Sequence, residues 1–98
     1  MPTHEIVLKP SAVKDLDRRR KFDAALIAEG IERFLRDDPT QVSKSRIKRL
    51  KGISNPDFRL RLDDYRVFYT VDAKTGQVDV LRILHKDETA EYYKEITP

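Results

Sequence analysis

The hydrophobic residues of this chain change their spacing once, and that change limits the fold more than any other feature. Over residues 22–35 they recur every three or four positions, the period of an α-helix, at Phe22, Leu26, Ile27, Ile31, Phe34 and Leu35. Over residues 58–62 the period becomes two, because Phe58, Leu60 and Leu62 alternate with Arg59 and Arg61. This alternation predicts a strand with one buried face. Helical sequence followed by strand sequence is typical of the α+β class.

Two further elements are predicted ahead of the long helix. Residues 4–9 alternate weakly and indicate a short first strand, which Pro10 ends. Ser11 is then the expected N-cap of a first helix. The basic run at residues 18–21 is expected to end this helix, and Asp23 to cap or open the second one. Two helices joined so tightly should form an antiparallel hairpin.

The chain after Pro39, which stops the second helix, is predicted to form most of the sheet. Residues 45–50 are expected to be a basic connector. Three antiparallel strands are then predicted at residues 58–62, 65–71 and 78–84, followed by a tail that is helical from about Thr89. The predicted turns lie at Lys51-Gly52, Asp63-Asp64 and Lys74-Thr75-Gly76.

Together these elements predict one small α+β domain over residues 1–98. It has an N-terminal strand, a two-helix hairpin, three antiparallel strands in a curved sheet, and a short C-terminal tail or helix. The hairpin is expected to cover one face of the sheet and to leave the other face open to a ligand.

The composition excludes several classes of protein. The sequence has no cysteine, which rules out disulfide frameworks, thiol catalysis and thiolate metal sites. His4 and His85 lie far apart, and neither a metal nor a cofactor is expected. No apolar run approaches the roughly 18 to 20 residues that a membrane span requires, and no segment has the pattern of a signal peptide. We therefore expect a cytoplasmic protein without a membrane partner.

The positive charge is concentrated in the middle of the chain. The formal net charge is +3, but residues 42–66 contain eight basic residues against three acidic ones. Five of these basic residues precede the alternating strand: Lys44, Arg46, Lys48, Arg49 and Lys51. A basic stretch of this density suits a polyanion, nucleic acid being the first candidate, while a solvated charged surface explains the charge alone equally well.

A candidate phosphate site follows from the alternation of the predicted strand. Arg59 and Arg61 should share the open face, because alternate residues of a strand point to the same side. Arg66 follows the next turn, close enough to join them. Guanidinium groups grip phosphate oxygens in a two-pronged way, so three of them together predict a phosphate site. The alternative is ion pairing with nearby carboxylates, of Asp57, Asp63 and Asp64.

A second cluster of candidate residues lies at the end of the last predicted strand. His85 is a candidate because histidine is the residue type whose unperturbed pKa lies near neutrality; Lys86 follows it, and Tyr92 and Tyr93 offer ring surfaces for stacking on a base. The alternative makes His85 a loop residue, Lys86 a solvated cation, and the tyrosines an amphipathic cover of the core. The residues by themselves leave both interpretations open.

Three segments carry a resemblance to a known family. They are Arg49-Leu50-Lys51-Gly52, residues 58–69 with the sequence FRLRLDDYRVFY, and residues 80–86 with the sequence VLRILHK. They resemble the RelE/ParE superfamily of bacterial toxins, and the length and order of elements agree over nearly the whole chain. Members of the RelE branch are ribosome-dependent endoribonucleases that cut mRNA in the ribosomal A site, whereas members of the ParE branch poison DNA gyrase.

The resemblance implies roles for individual residues. Arg59 and Arg61 stand where RelE-type toxins often have two lysines, and Arg66 matches an arginine that stabilises the scissile phosphate. Lys86 matches an arginine assigned to protonation of the leaving group, and Tyr92 matches a tyrosine that stacks on or orients the substrate base. Since arginine is effectively always protonated, neither Arg59 nor Arg61 is a plausible general base. The remaining titratable candidates are His85, Lys86 and Tyr92.

This resemblance implies the toxin of a toxin–antitoxin pair, which cuts mRNA on the ribosome by attack of the substrate's own 2′-hydroxyl and needs no metal. The expected partners are a cognate antitoxin, in a toxin–antitoxin hetero-oligomer, and the ribosome with its mRNA, contacted by the basic connector. Two alternatives stay open: a ParE-like protein that binds gyrase without nuclease activity, and an inactive member of the superfamily.

Overall fold

The computed structural model describes residues 3–43 and 45–98, and it has the α+β architecture that the sequence predicts. The elements follow in the order β1 (Ile6–Leu8), α1 (Pro10–Asp17), α2 (Lys21–Leu35), β2 (Ile47–Arg49), β3 (Phe58–Leu62), β4 (Tyr65–Val71) and β5 (Val78–His85). A 3₁₀ turn (Lys86–Glu88) then leads into the C-terminal helix α3 (Thr89–Ile96), which confirms the helical tail. None of the helices in these two stretches is long and apolar enough to cross a membrane.

The sheet has five strands in the order β1-β5-β4-β3-β2. β1 pairs with β5 in parallel, and the other neighbours are antiparallel. The prediction that residues 45–50 form only a connector is wrong, because Ile47–Arg49 pairs with β3 as an edge strand. Within it Ile47 alone is buried, so three residues with two exposed cations gave too little alternation to be recognised.

One of the two predicted helix starts needs correction. Ser11 is not an N-cap, because α1 begins at Pro10, and Lys9 occupies the cap position without a side-chain hydrogen bond. Proline suits the first helical position, since it lacks only an N–H that would have no helical partner there. Asp23 opens α2 instead of capping it: Arg20 is the N-cap, and the Asp23 carboxylate in the first turn accepts a hydrogen bond of 3.0 Å from the Tyr65 hydroxyl.

The main core lies between the sheet and helices α1 and α2, on what we call the helix face. Phe58, Leu60 and Leu62 of β3 point into it, as the alternation predicts, beside Ile27 and Ile31 of α2. Gly30 permits this packing, because a Cβ atom at this position would lie 2.6 Å from Leu62 Cδ2. The close approach of α2 to β3 therefore depends on the absence of a side chain at Gly30.

The opposite face of the sheet is only partly open. Helix α3 lies against it and forms a small second cluster in which Phe68, Leu84 and Tyr92 are buried. The expectation that this face stays free is therefore wrong for the part formed by β4 and β5. We call this side the arginine face, because Arg59, Arg61 and Arg66 lie on it beside the area that α3 covers.

Side chains cap the edge of β5 where β1 ends. β1 pairs with β5 only from Val78 to Val80, and beyond it the Ile83 N–H donates to Asp15 Oδ2 at 2.9 Å. The Ile83 carbonyl accepts from Arg19 Nη2 at 3.1 Å, and the His85 N–H donates to Glu88 Oε1 at 2.7 Å. These contacts satisfy edge groups that would otherwise be free to pair with another chain.

Asp15 is the centre of the charged network at this edge. Asp15 is only 3% exposed. Its carboxylate accepts hydrogen bonds from Arg82 Nε at 2.7 Å and from Arg18 Nη2 at 3.1 Å. A buried carboxylate is tolerated when it is paired and hydrogen-bonded in this way. The network joins α1 to β5, and through Arg82, whose guanidinium lies 5.4 Å from the centre of the Tyr92 ring, it also reaches α3.

The first prediction concerns the contact between α2 and β3. Gly30→Ala should lower the free energy of unfolding by about 1 kcal/mol, because overpacking against Leu62 outweighs the gain in helix propensity. Urea unfolding measures this change, and the exposed neighbouring substitution Glu29→Ala serves as the control for helix propensity. A Gly30→Ala protein as stable as the parent would contradict the close packing.

The second prediction concerns the pH dependence of stability. Burial alone would raise the pKa of Glu88, but hydrogen bonds from the His85 N–H and from Arg19 outweigh it and hold the pKa below its ordinary 4.5. A carboxyl whose pKa is lowered by folding adds stability above its unfolded pKa, and loses it as the pH falls through the folded value. Glu88→Gln should therefore cost about 1 kcal/mol near neutrality, since solvent screens this half-exposed group, and nothing in strong acid.

Urea unfolding of Glu88→Gln and of the parent across pH tests this expectation. The matched control is Glu91→Gln in α3, whose carboxylate is largely exposed and lies 3.6 Å from Lys94 Nζ. A stability difference for Glu88→Gln that stays constant down to strong acid would show that the charge of Glu88 is not what stabilises the fold.

Candidate functional site

The antiparallel register of β3 and β4 brings three arginines together on the arginine face. Arg61 lies directly opposite Arg66, and Arg59 lies opposite Phe68. The two-residue turn between the strands makes this register possible, with Asp63 in the left-handed conformation at φ 52°. Lys48 of β2 pairs with Arg59 and therefore lies on the same face. Cross-strand pairing thus adds Lys48 to the three arginines as a fourth cation. The pattern of a single strand does not reveal this pairing.

Arg59 is the most constrained of these cations. It is half-buried, and its Nε atom is buried without a hydrogen-bond partner. Burial lowers the pKa of Arg59, the hydroxyl of Tyr93 opposes this, and the neighbouring charges of Arg66 and Arg61 lower the pKa further. A cation held in this way lacks an anion, and a phosphate group would supply both the charge and the acceptor oxygens.

Arg66 is held in place by the backbone of the turn. Its Nη1 donates to the carbonyl oxygens of Asp63 at 2.8 Å and of Tyr65 at 3.0 Å. Two carboxylates that were candidates for pairing with the arginines have other partners: Asp57 accepts from the Thr70 hydroxyl, and Asp64 lies 3.5 Å from Lys86 Nζ. Within residues 3–43 and 45–98, therefore, Arg59, Arg61 and Arg66 form no ion pair.

Lys86 lies at the rim of the arginine face. Its N–H donates to the Asp64 carbonyl at 2.7 Å, and its Nζ lies 3.5 Å from Asp64 Oδ1. Both contacts tie the 3₁₀ turn to the β3–β4 turn that also holds Arg66. The structure thus brings Lys86 to the same end of the sheet as Arg66.

His85 lies on the helix face, away from the arginines. It pairs with Tyr65 across β4 and β5, and the two rings meet edge to face with centroids 5.5 Å apart. Its Nδ1 accepts from the Asp87 N–H at 3.1 Å, which leaves the proton of the neutral ring on Nε2. The structure therefore does not bring His85 together with the three arginines.

Tyr92 is enclosed in the cluster beneath α3. Tyr92 is 7% exposed, and its ring centroid lies 4.8 Å from that of Phe68. Burial raises the pKa of Tyr92, although the guanidinium of Arg82 partly opposes this. The neighbouring Tyr93, partly exposed, is the tyrosine beside Arg59. The burial of Tyr92 could have been predicted from helical spacing. Tyr92 and Ile96 are four residues apart and therefore share the core-facing side of α3.

The basic connector is divided between the two faces of the sheet. The Arg46 guanidinium lies 4.9 Å from the centre of the Phe34 ring, and that of Arg49 lies 5.3 Å from the centre of the Phe58 ring. Both rings belong to the helix face, so Arg46 and Arg49 do not join the arginine cluster. Lys51 is exposed beyond β2. Lys44, the remaining candidate, lies outside the described residues.

The described residues contain no group of three or more His, Cys, Asp or Glu side chains that could hold a metal ion. The arginine cluster instead combines fixed positive charges with Lys86 at its rim and the ring of Tyr93 beside Arg59. Such an arrangement can bind a phosphodiester and stabilise negative charge that develops on it.

Comparisons with known proteins agree on the family. A family model described as the ParE toxin of a type II toxin–antitoxin system, parDE, matches residues 6–90. No curated protein sequence matches the chain significantly.

Solved structures of toxins have the same fold. The archaeal RelE–RelB complex from Pyrococcus horikoshii has 26% identity and a TM-score of 0.70, covering 90% of this chain and 99% of that chain. The toxin–antitoxin complex RelBE2 from Mycobacterium tuberculosis has 23% identity and a TM-score of 0.68, covering 85% and 98%. A free mutant of the Escherichia coli toxin RelE has 19% identity and a TM-score of 0.68, covering 96% and 94%.

The family model covers most of the chain, and the fold matches that of RelE toxins solved both with RelB and alone. This protein therefore belongs to the RelE/ParE superfamily of toxins of type II toxin–antitoxin systems.

Proposed function

We propose that this toxin is an endoribonuclease that cleaves mRNA in the A site of the ribosome. The observation that supports the proposal is the cluster of Arg59, Arg61 and Arg66, which forms no ion pair within the described stretches of the chain. Guanidinium groups held side by side without carboxylates favour an anionic ligand, and RNA supplies that ligand through its phosphates.

The proposed reaction uses the nucleophile of the substrate. The 2′-oxygen attacks the adjacent phosphorus, the bond to the 5′-oxygen breaks, and a 2′,3′-cyclic phosphate remains. One proton leaves the 2′-hydroxyl, and another is delivered to the departing 5′-oxygen. The arginines stabilise the additional negative charge of the transition state, which is usually the largest contribution to catalysis. DNA has no 2′-hydroxyl and cannot react by this route.

Lys86 is the best placed of the three titratable candidates to act as the proton donor. It lies at the rim beside the turn that holds Arg66, whereas His85 is on the helix face and Tyr92 is enclosed. General acid catalysis by a positioned side chain contributes about 10²- to 10⁴-fold. In this proposal His85 does not accept the 2′-proton. Water or a group of the ribosome takes that role.

The second candidate function is inhibition of DNA gyrase. The observation that favours it is the family model, which describes the ParE toxin of the parDE system. The structural neighbours named above are instead RelE proteins. A gyrase inhibitor binds a protein and needs no set of cations arranged around one phosphate, which is why we favour the nuclease.

Two parallel assays of the purified toxin decide between these functions. Cleavage of a short mRNA on programmed ribosomes, mapped by primer extension, is the expected result, and supercoiling by gyrase should be unaffected. Inhibition of gyrase without mRNA cleavage would overturn the proposal in favour of the second function. Failure in both assays would identify an inactive member of the superfamily.

The partners proposed for this toxin follow from the same surface. The neighbouring complexes contain RelB antitoxins, which supports a cognate antitoxin and a toxin–antitoxin hetero-oligomer here. We expect acidic side chains of that antitoxin to occupy the phosphate positions at Arg59, Arg61 and Arg66. The exposed cations Lys48 and Lys51 would contact ribosomal RNA, and the activity would take place in the cytoplasm, where ribosomes translate mRNA.

The third prediction sets stability against activity at Arg59. Arg59→Met keeps an unbranched side chain and removes a half-buried charge that is repelled by Arg61 and Arg66, so it should raise the free energy of unfolding by about 1 kcal/mol. The same change should reduce cleavage by roughly 10²-fold, since a donor to the phosphate is lost.

Urea unfolding and single-turnover cleavage measure the two effects. Lys74→Met, in the exposed turn between β4 and β5, makes the same change of charge far from the cluster and should alter neither quantity appreciably. A stable Arg59→Met protein with full activity would remove Arg59 from the site.

A further inference from the structure

Phe22 has the most exposed large apolar side chain in the described residues, at 79%. It is the second residue of α2 and begins the helical pattern of apolar residues, but later members of that pattern, such as Ile27 and Ile31, form the core. A single exposed apolar residue is common on a protein surface and carries no meaning by itself. Its surroundings and its place in the fold therefore decide whether it has a function.

The surroundings of Phe22 are strongly basic. It follows directly on the run of four cations at residues 18–21, which joins α1 to α2. The first two cations of the run pair with carboxylates of α1 and of the 3₁₀ turn, at 3.1 Å and 2.9 Å. The last two, Arg20 and Lys21, are exposed and form no ion pair within the part of the chain that the structure describes.

We call residues 20–22 the hairpin tip, because they lie where α1 gives way to α2. The tip is held at the end of the sheet that carries Lys86. Arg19, just before it, donates to a carboxylate of the 3₁₀ turn that begins with Lys86. Asp23, just after it, accepts from the Tyr65 hydroxyl, so its carboxylate has a partner other than the cations of the tip. The hairpin tip is therefore near the proposed cleavage site but separate from the arginine face.

We infer that the hairpin tip docks on ribosomal RNA, where one unpaired base stacks on the ring of Phe22 and the adjoining phosphates bind Arg20 and Lys21. This inference rests on the proposed nuclease function. It adds a contact with the ribosome that lies outside the cleavage site and outside the basic stretch at residues 44–51. Structured RNA presents unstacked bases in its loops and bulges, and aromatic rings flanked by cations are the side chains that bind them.

The charge of the hairpin tip favours RNA over a protein as its partner. Residues 18–22 contain four cations and no carboxylate, so a polyanion that binds here gains from the release of its counterions. An apolar protein surface laid on Phe22 would instead remove water from Arg20 and Lys21 without offering them an anion, which is unfavourable. A base with its phosphates supplies both kinds of contact at once.

The variants separate the ring from its apolar bulk and from the charges beside it. Phe22→Leu keeps an apolar side chain without a ring and should weaken binding to ribosomes by about 5- to 150-fold in Kd, whereas Phe22→Trp should bind like the parent. Arg20→Gln and Lys21→Gln should each reduce the slope of log K against log salt by about 1. Lys74→Gln, in the turn between β4 and β5, is the matched control and should leave the slope unchanged.

The experiment uses the full-length toxin and ribosomes programmed with an mRNA that has 2′-deoxynucleotides throughout its A-site codon, so that the complex forms and is not cut. Filter binding gives Kd, and chemical footprinting reports the reactivity of each ribosomal base. The parent should protect an unpaired base that becomes reactive with Phe22→Leu and stays protected with Phe22→Trp. On normal mRNA the loss in Phe22→Leu should lie in KM and disappear at saturating toxin, because the tip does not touch the cleaved phosphate.

The outcomes separate this inference from the proposed function. Cleavage by the parent together with tight binding of Phe22→Leu overturns the docking contact and leaves the nuclease intact. Weaker binding of Phe22→Leu with an unchanged footprint of the ribosomal RNA also overturns it, in favour of a ribosomal protein as the partner of the ring. Salt slopes that stay unchanged in Arg20→Gln and Lys21→Gln remove the phosphate contacts. If the parent neither binds programmed ribosomes nor cleaves their mRNA, the proposed function and the docking contact are overturned together.

Discussion

Burial of Phe58, Leu60 and Leu62 on the helix face is the constraint on which the candidate site depends. Because a strand has a period of two, placing these three side chains in the core turns Arg59 and Arg61 to the other face. Each buried side chain contributes about 1.5 to 3 kcal/mol, whereas two solvated charges 4 Å apart repel by only about 1 kcal/mol. The core therefore outweighs the repulsion, and the arginines remain together without a neutralising carboxylate.

The sequence predicted what depends on local spacing. The alternation of β3, the strand–helix–helix–strand order and the helical tail were all correct, since each follows from the period of apolar residues within one element. The strand β2 was missed because its stability comes from hydrogen bonds to β3, at pairs such as Ile47 with Leu60, and not from its own three residues. Lys48 joins the arginine face for the same reason.

His85 shows how one irregularity changes a site. Continued alternation from Val78 and Val80 would put residues 82 and 84 in the core and His85 on the arginine face. The register between β4 and β5 instead shifts next to Phe68 and Tyr69, leaving Leu81 as an extra residue between Val80 and Arg82. Beyond this bulge Ile83 faces the core and His85 lies with it, packed on Tyr65. The adjacent apolar residues Val80 and Leu81 interrupt the alternation here, but spacing alone does not show which residue bulges and therefore on which face His85 lies.

The aromatic cluster that holds α3 also completes the proposed site. Phe68 contacts both Tyr92 and Tyr93, so one buried ring both anchors the helix and sets the position of the tyrosine beside Arg59. The arginines at positions 59 and 61, where the resemblance implies lysines in RelE-type toxins, fit this arrangement. A half-buried lysine would be prone to lose its proton, whereas arginine keeps its charge near apolar rings and can still bind phosphate through two donors. In the proposed reaction, the fixed positive charge of Arg59 and Arg61 takes the place that a titratable group on the same strand would occupy.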